Sequence, residues 1–351
     1  MPKISTLVSI FLLICLFFFI QISFSLETVP LKKSNHEVWS KSVSVSFQEV
    51  LRIGSDKLDE ENYIFGVISD IKVDKEGFIY VLDSANYRIQ KFSPKGLFIT
   101  SYGNGKGEGP GQFLRPKSIA LDDKMNLYVA DTNLFRITVF DPQGKVIKTI
   151  RTESMPANLS VKNNYLFLIF FFHEENFLIY RYNVVNEKLE RKFCESNEWT
   201  YLSAQAGEAG ELCIDMDGNL YYSHTYPYEI KKFSLEGELL ARFSRKATFY
   251  KAPYRDPYGI FKAETAPTAL VCLPDGTIVN VIRHIDQGAK KGIFYFDLFD
   301  KEGNWLKSFT ADSIGLDWIR IITADNQGNI YLDCKDPFPH VRKYELKFIK
   351  K

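Results

Sequence analysis

Three of the five histidines, His173, His224 and His284, fall at or just beyond the ends of similar short apolar runs, "YLFLIF", "LYYS" and "TIVNVI". Imidazoles brought together from separate strand ends can hold a divalent metal ion, with Asp131 or Glu174 as a carboxylate neighbour. Such an ion would polarise a carbonyl or lower the pKa of a bound water. Solvated or hydrogen-bonded turn histidines are the alternative reading of the same positions. Asp83 and Asp131 end two equivalent runs, and each is followed five residues later by Arg88 or Arg136. An Asp in that position caps a turn by accepting from nearby backbone amides.

The run "GNGKGEGPGQFLRP", from Gly103 to Pro116, invites comparison with a phosphate loop. Its glycines miss the G-x-G-x-x-G register, and Lys106 is followed by Gly107 where a Walker loop has Ser or Thr. The residues after it, "KSIALDDKMNLYVAD", alternate in polarity and suit a strand, whereas a phosphate loop opens a helix. The run therefore reads as a connector. No G-x-S-x-G nucleophile elbow is present either. A second long connector, Ser244 to Pro267, carries Tyr250, Tyr254, Arg255 and Tyr258, residue types that dominate binding hot spots.

The elements that position these residues repeat. "EGFIYVLDSANYRIQKFSPKGLFITSYG", "KMNLYVADTNLFRITVFDPQGKVIKTI" and "DGNLYYSHTYPYEIKKFSLEGELLARF" share one order of turn, strand, short connection, strand ending in an aromatic, turn and strand. That aromatic recurs at Phe92, Phe140, Tyr182, Phe233, Phe299 and Tyr344, spaced from 42 residues (Phe140 to Tyr182) to 66 (Phe233 to Phe299). A further short strand precedes each turn, as in "ISDIKVD", "KSIALD", "GELCID" and "TALVCLP". Four strands per unit and six units define an all-β fold, a six-bladed β-propeller. The sixth unit lacks room for a fourth strand after Tyr344, and "FQEVLRIG" from Phe47 has the form of one. The N-terminal strand is thus expected to close the ring.

The motifs "IYVLD" with "RIQKF", "LYVAD" with "RITVF", and the connector "GEGPGQFLRP" resemble the NHL-repeat family of six-bladed propellers, most closely over Asp70 to Ile150. The resemblance implies the fold and names no activity, because such folds host many functions. A peptidyl-hydroxyglycine amidating lyase of similar repeat pattern uses a histidine-bound metal, but no longer motif of it occurs here.

Composition sets further limits. Forty-four basic against 43 acidic residues leave a formal charge of +1, which excludes global attraction to nucleic acid or an anionic membrane. The apolar run from Ile4 to about Phe24 is a targeting segment, with release expected after Ser25 or retention as an anchor. Cys194, Cys213, Cys272 and Cys334 match no zinc or redox motif and read as buried thiols, with one or two disulfides as the alternative in an exported chain.

The sequence therefore predicts a signal peptide or anchor over 1–25, a linker over 26–42 and a propeller over 43–351. The expected function is exported, periplasmic or extracellular, non-catalytic binding of a protein, peptide or glycan, with no cofactor and no nucleic acid. Arg115, His224, Tyr254, Arg255 and Tyr258 are the expected ligand-binding residues, on the face formed by the turns between second and third strands and the connectors between blades. The alternative is a lyase or lactone hydrolase with one divalent ion on His173, His224 and His284.

Overall fold

A computed structural model describes residues 29–39, 43–172, 177–223, 226–286, 291–316, 319 and 322–350. The chain divides into two compact units, Met1–Pro30 and Leu31–Lys351. The second is the propeller.

Blades I to V each contain four antiparallel strands in chain order from the axis outward, and blade IV carries one more strand at its outer edge. Blade I comprises Ile68–Val73, Ile79–Asp83, Arg88–Phe92 and Phe98–Tyr102. Blade II comprises Pro116–Leu121, Leu127–Asp131, Arg136–Phe140 and Val146–Arg151. Blade III comprises Pro156–Lys162, Tyr165–Phe170, Phe177–Asn183 and Lys188–Glu195. Blade IV comprises Glu211–Ile214, Leu220–Ser223, Ile230–Phe233 and Leu239–Arg245. Blade V comprises Thr265–Cys272, Ile278–Asp286, Lys291–Phe299 and Trp305–Thr310. Blade VI takes Ile322–Ala324, Ile330–Cys334 and His340–Lys350 from the C-terminus, and its outer strand is Val43–Ile53 from the N-terminus. The ring is closed as the sequence implied.

Apolar residues are packed between blades, where both faces of each sheet lose water. Tyr80, Leu82 and Ile89 of blade I meet Ile119, Leu127 and Val129 of blade II. Equivalent clusters join II to III, III to IV, IV to V, V to VI and VI to I. The recurring aromatics Phe92 and Phe140 are 0% and 1% exposed and stand in these seams, which explains why the repeat is written in them. Because every seam is filled, no blade has a face left to solvent to dry elsewhere.

Turns between first and second strands share one device. Asp74, Asp122 and Asp325 each accept from two backbone N–H groups of their own turn and Asp215 from one, and each accepts from the hydroxyl of Tyr80, Tyr128, Tyr331 or Tyr221 respectively, six residues on. On the opposite face Asp83 and Asp131 do more than cap a turn. Asp83 accepts from Gly66 N and Val67 N at 3.0 and 3.2 Å, and Asp131 from Leu114 N and Arg115 N at 2.8 and 3.1 Å. Each carboxylate thereby hooks the incoming connector to its own blade. Arg136 completes the second hook by donating to the carbonyls of Glu108, Gly109 and Gln112. The glycine-rich run is a connector from Tyr102 to Pro116; Gly103 has φ +104°, and a Cβ there would stand 2.8 Å from the Phe113 ring.

Three features differ from expectation. The segment expected as a linker contains a strand, Leu31–Ser34, which pairs in parallel with Leu239–Arg245 as a fifth strand of blade IV. From there the chain crosses blade V, where Val38 N and Trp39 N donate to the carbonyls of Trp305 and Leu306. Cys213 and Cys272, read as buried thiols, form a disulfide between the inner strands of blades IV and V, whose Cα atoms are 5.9 Å apart. Cys194 and Cys334 are free thiols. A short helix, Glu198–Gln205, stands in the connector between blades III and IV of a fold expected to be all-β. Asn197 caps it, accepting from Trp199 N and Thr200 N.

Deleting residues 42–54 should lower the thermal midpoint of the whole domain in one cooperative transition, since it removes the outer strand of blade VI. An unchanged midpoint in calorimetry would refute the closure. Asp131→Ala leaves four backbone N–H groups without their carboxylate and should cost about 3 kcal/mol in urea unfolding.

Candidate axial binding site

The innermost strands surround a cavity of about 220 Å³ on the propeller axis. Blade I contributes Asp70 and Lys72, blade II Lys117, blade III Asn158, blade IV Glu211 and blade V Arg283. Glu208, in the connector that enters blade IV, completes its polar wall. Lys117, Asn158 and Glu211 stand near the starts of their strands, and Phe171 just past the end of its strand. The cavity thus opens on the face of the connectors between blades, the face on which the sequence places ligand contacts.

Strand alternation puts these polar side chains on the axis while their neighbours enter the seams between blades. Ile71, next to Asp70 and Lys72, is fully buried in the seam between blades VI and I. Asp70 is itself 7% exposed and fully engaged. It accepts from Ile71 N, Lys72 Nζ, Ser118 Oγ and Ile119 N at 2.7 to 2.8 Å, so it ties the inner strands of blades I and II together. Arg283 is paired with Glu208, whose carboxyl is pushed up by burial against the pull of that guanidinium.

Glu211 accepts from Asn158 Nδ2 at 2.8 Å. Burial pushes its carboxyl up to about 8, because desolvation outweighs the opposing pull of Lys117, Lys72 and the Asn158 amide, and Asp70 adds repulsion. Its carboxyl therefore keeps its proton to higher pH than an ordinary glutamate. Asn158 heads the sequon Asn158-Leu159-Ser160, yet its amide is part of the cavity wall and bonded to Glu211.

Of the residues singled out from sequence, Tyr254, Arg255 and Tyr258 come together in one hairpin, Tyr254–Arg255 paired with Phe261–Lys262, in the connector between blades IV and V. Asp256 shapes its turn by accepting from Tyr258 N and Ile260 N. The hairpin leans on the helix Glu198–Gln205 through Arg255 and Glu198, 3.7 Å apart, and through the rings of Phe261 and Trp199. Tyr254 and Tyr258 are 41% and 89% exposed. Arg115 is exposed on another connector, held by its backbone between Asp131 and Thr132. His173, Glu174 and His224 lie outside the described residues. His284 Nδ1 is 3.0 Å from Thr265 Oγ1, and its ring packs on Phe249. Among the described residues no group of three His, Cys, Asp or Glu side chains is placed to hold a metal ion.

Sequence reasoning missed Asp70, Lys72, Lys117, Asn158, Glu208, Glu211 and Arg283. The available signal was a polar residue at one matching place in consecutive inner strands, Asp70, Ser118 and Asn158, each paired with the last residue but one of its blade's second strand.

Fold and cavity define a six-bladed β-propeller with a polar axial site. The chain belongs to the family described as "6-bladed beta-propeller", whose model matches residues 35–252. No curated protein matches it in sequence. Among solved structures it is similar to a Bacteroides vulgatus protein, with TM-score 0.61, 8% identity and coverage of 86% of this chain and 98% of that one. It is also similar to a Bacteroides fragilis protein described as exported, with TM-score 0.59, 12% identity and coverage of 91% and 100%. Virginiamycin B lyase from Staphylococcus aureus, in a structure with quinupristin, matches with TM-score 0.53, 12% identity and coverage of 87% and 100%. These likenesses are of fold.

A carboxyl that binds its proton more tightly in the folded than in the unfolded chain favours folding at low pH. Its contribution is lost as pH rises from about 4.5 to about 8. Glu211→Gln should therefore flatten the pH dependence of stability across that window and leave the variant more stable than the parent at pH 9. Urea unfolding at pH 5, 7 and 9 reads this directly, and an unaltered slope would place the proton elsewhere.

Proposed function

We propose that the protein is an exported, non-catalytic binding propeller of NHL-like repeats, which recognises a protein, peptide or glycan on the face where the axial cavity opens. The observation that carries this reading is the pairing of a polar cavity with exposed aromatics on one face. Phe135 and Phe172, in the turns of blades II and III, are 41% and 46% exposed, and Tyr254 and Tyr258 extend the set on the longest connector. Exposed aromatic groups beside a concave site are the usual anchors of a bound chain. Long connectors carry function on a rigid scaffold.

Export is supported by the apolar N-terminal run, by the Cys213–Cys272 bridge, of a kind that persists in oxidising compartments, and by the fold shared with a protein described as exported. No helix among the described residues is long and apolar enough to cross a membrane. The likeness to a lyase supplies no residue of that enzyme's chemistry to this chain.

Arrays of peptides and glycans probed with the purified protein should give a defined set of binders. The double variant Tyr254→Ala, Tyr258→Ala should weaken them by about tenfold or more with an unchanged thermal midpoint. Retained binding would remove the hairpin from the site.

A further inference from the structure

This inference rests on the axial cavity being the ligand site and concerns how a ligand reaches it. The cavity measures about 220 Å³, below the roughly 300–1,000 Å³ of pockets that enclose whole small molecules. One stretch of its wall, Gly207 to Gly210, belongs to no blade. It ends the connector from blade III to blade IV, which carries the helix Glu198–Gln205. A ligand larger than a few atoms therefore needs this connector to move, and its construction suits it to do so.

Both residues that bound it hold left-handed backbone. Cys194, near the end of the outer strand of blade III, has φ +64°, and Gly210, just before the inner strand of blade IV, has φ +94°. A Cβ on Gly210 would stand 2.5 Å from the Tyr222 hydroxyl oxygen, which fixes that position as glycine. Residues at element ends of this kind absorb the change of direction when a segment swings.

Between them the helix turns a small face inward. Its buried residues are Thr200, Ser203 and Ala204, and among the described residues the Ser203 hydroxyl is buried without a hydrogen-bond partner. Little apolar surface thus secures the helix to the blades. Its contacts with the hairpin of the next connector, Glu198 with Arg255 and Trp199 with Phe261, tie it to another loop. Two hydrogen bonds hold the segment to blade IV, from Asn197 Nδ2 to the Tyr226 carbonyl at 3.2 Å and from the Tyr222 hydroxyl to the Ala209 carbonyl at 3.0 Å. Across the cavity the tie is ionic: Glu208 is paired with Arg283, near the end of the second strand of blade V. Among the described residues neither Glu208 Oε2 nor Arg283 Nε has a hydrogen-bond partner, so the closed pair carries a polar cost that access to water relieves.

We infer that the connector from Glu195 to Ala209 is a lid on the axial cavity, hinged at Cys194 and Gly210 and latched to blade V by Glu208 and Arg283. Its opening widens the mouth for a ligand, and its closure encloses what has entered.

The chain carries its own reporter. Cys194 shares one apolar cluster with Ala204 and Ala209 of the connector. Burial pushes its thiol up to about 12 against the pull of Lys231, so it reacts slowly while the lid is shut. Alkylation of the full chain by iodoacetamide without reductant, followed residue by residue by mass spectrometry, tests the lid; it uses no ligand and so stands apart from the array result above. Glu208→Gln, which removes the ion pair and keeps the side chain's size, should speed alkylation of Cys194 by about fivefold or more, with Cys334 in blade VI at the parent rate and the thermal midpoint unchanged. Thr268→Cys gives the cavity wall a thiol, and adding Glu208→Gln should speed its alkylation by a similar factor. In the parent protein, amide hydrogen exchange should release Glu198–Gln205 ahead of the flanking strands Lys188–Glu195 and Glu211–Ile214. An unchanged Cys194 rate, or equal acceleration at Cys334, would overturn the latch. Cys194 uncovered with the wall position no faster would overturn the lid, as would exchange of helix and flanking strands in a single step, which the parent protein reports whether or not a variant folds.

Discussion

The pairing of Val43–Ile53 with His340–Lys350 is the constraint on which the rest of the propeller depends. Each blade buries its faces only against its two neighbours, so a ring with one unpaired blade would expose two seams. The cluster of Ile53, Tyr331 and Val341 with Ile68, Ile71 and Val81 forms only once the first and last parts of the chain have met. Such closure has a high entropic cost, because its loop is almost the whole domain. It is offset by apolar surface removed from water in every seam at once, which makes the domain a single cooperative unit and its axis a rigid place to build a site.

The blades were legible in the sequence because the residues that fill the seams are large and recur at fixed points, as Phe92, Phe140 and Phe233 do. The closing strand was legible because the last unit was visibly one strand short. The helix Glu198–Gln205 was not, since eight residues carry little more than two turns and its capping box pairs Asn197 with Thr200, where the recognisable sequence signal has Glu or Gln. The disulfide was hidden by a separation of 59 residues. Aligning "GELCID" with "TALVCLP" by their turns places Cys272 one residue further along its inner strand than Cys213, so strand alternation turns the two side chains toward each other across the seam between blades IV and V.

The cavity was harder to foresee for a related reason. Asp70, Lys117, Asn158 and Glu211 are far apart in sequence and share no motif, and only the ring brings them to one axis. Histidines drew attention because they are few, yet the most perturbed carboxyl described at the axis belongs to Glu211, whose neighbours in sequence are ordinary strand residues. A net charge of +1 also conceals local arrangement: the molecule is nearly neutral as a whole, while its axis gathers opposite charges at short range in a site of low polarisability.

The path of the residues from Leu31 to Ile53 has a mechanical consequence. Leu31–Ser34 runs parallel to the rim of blade IV, the next residues are bonded to blade V, and Val43–Ile53 edges blade VI. A pull on the N-terminus first loads the short parallel pair along its length, where several hydrogen bonds resist together, and reaches the closing strand only after that pair has given way. Tension entering from this end is thus dissipated along the outer circumference, blade by blade, before the geometry of the axis is disturbed.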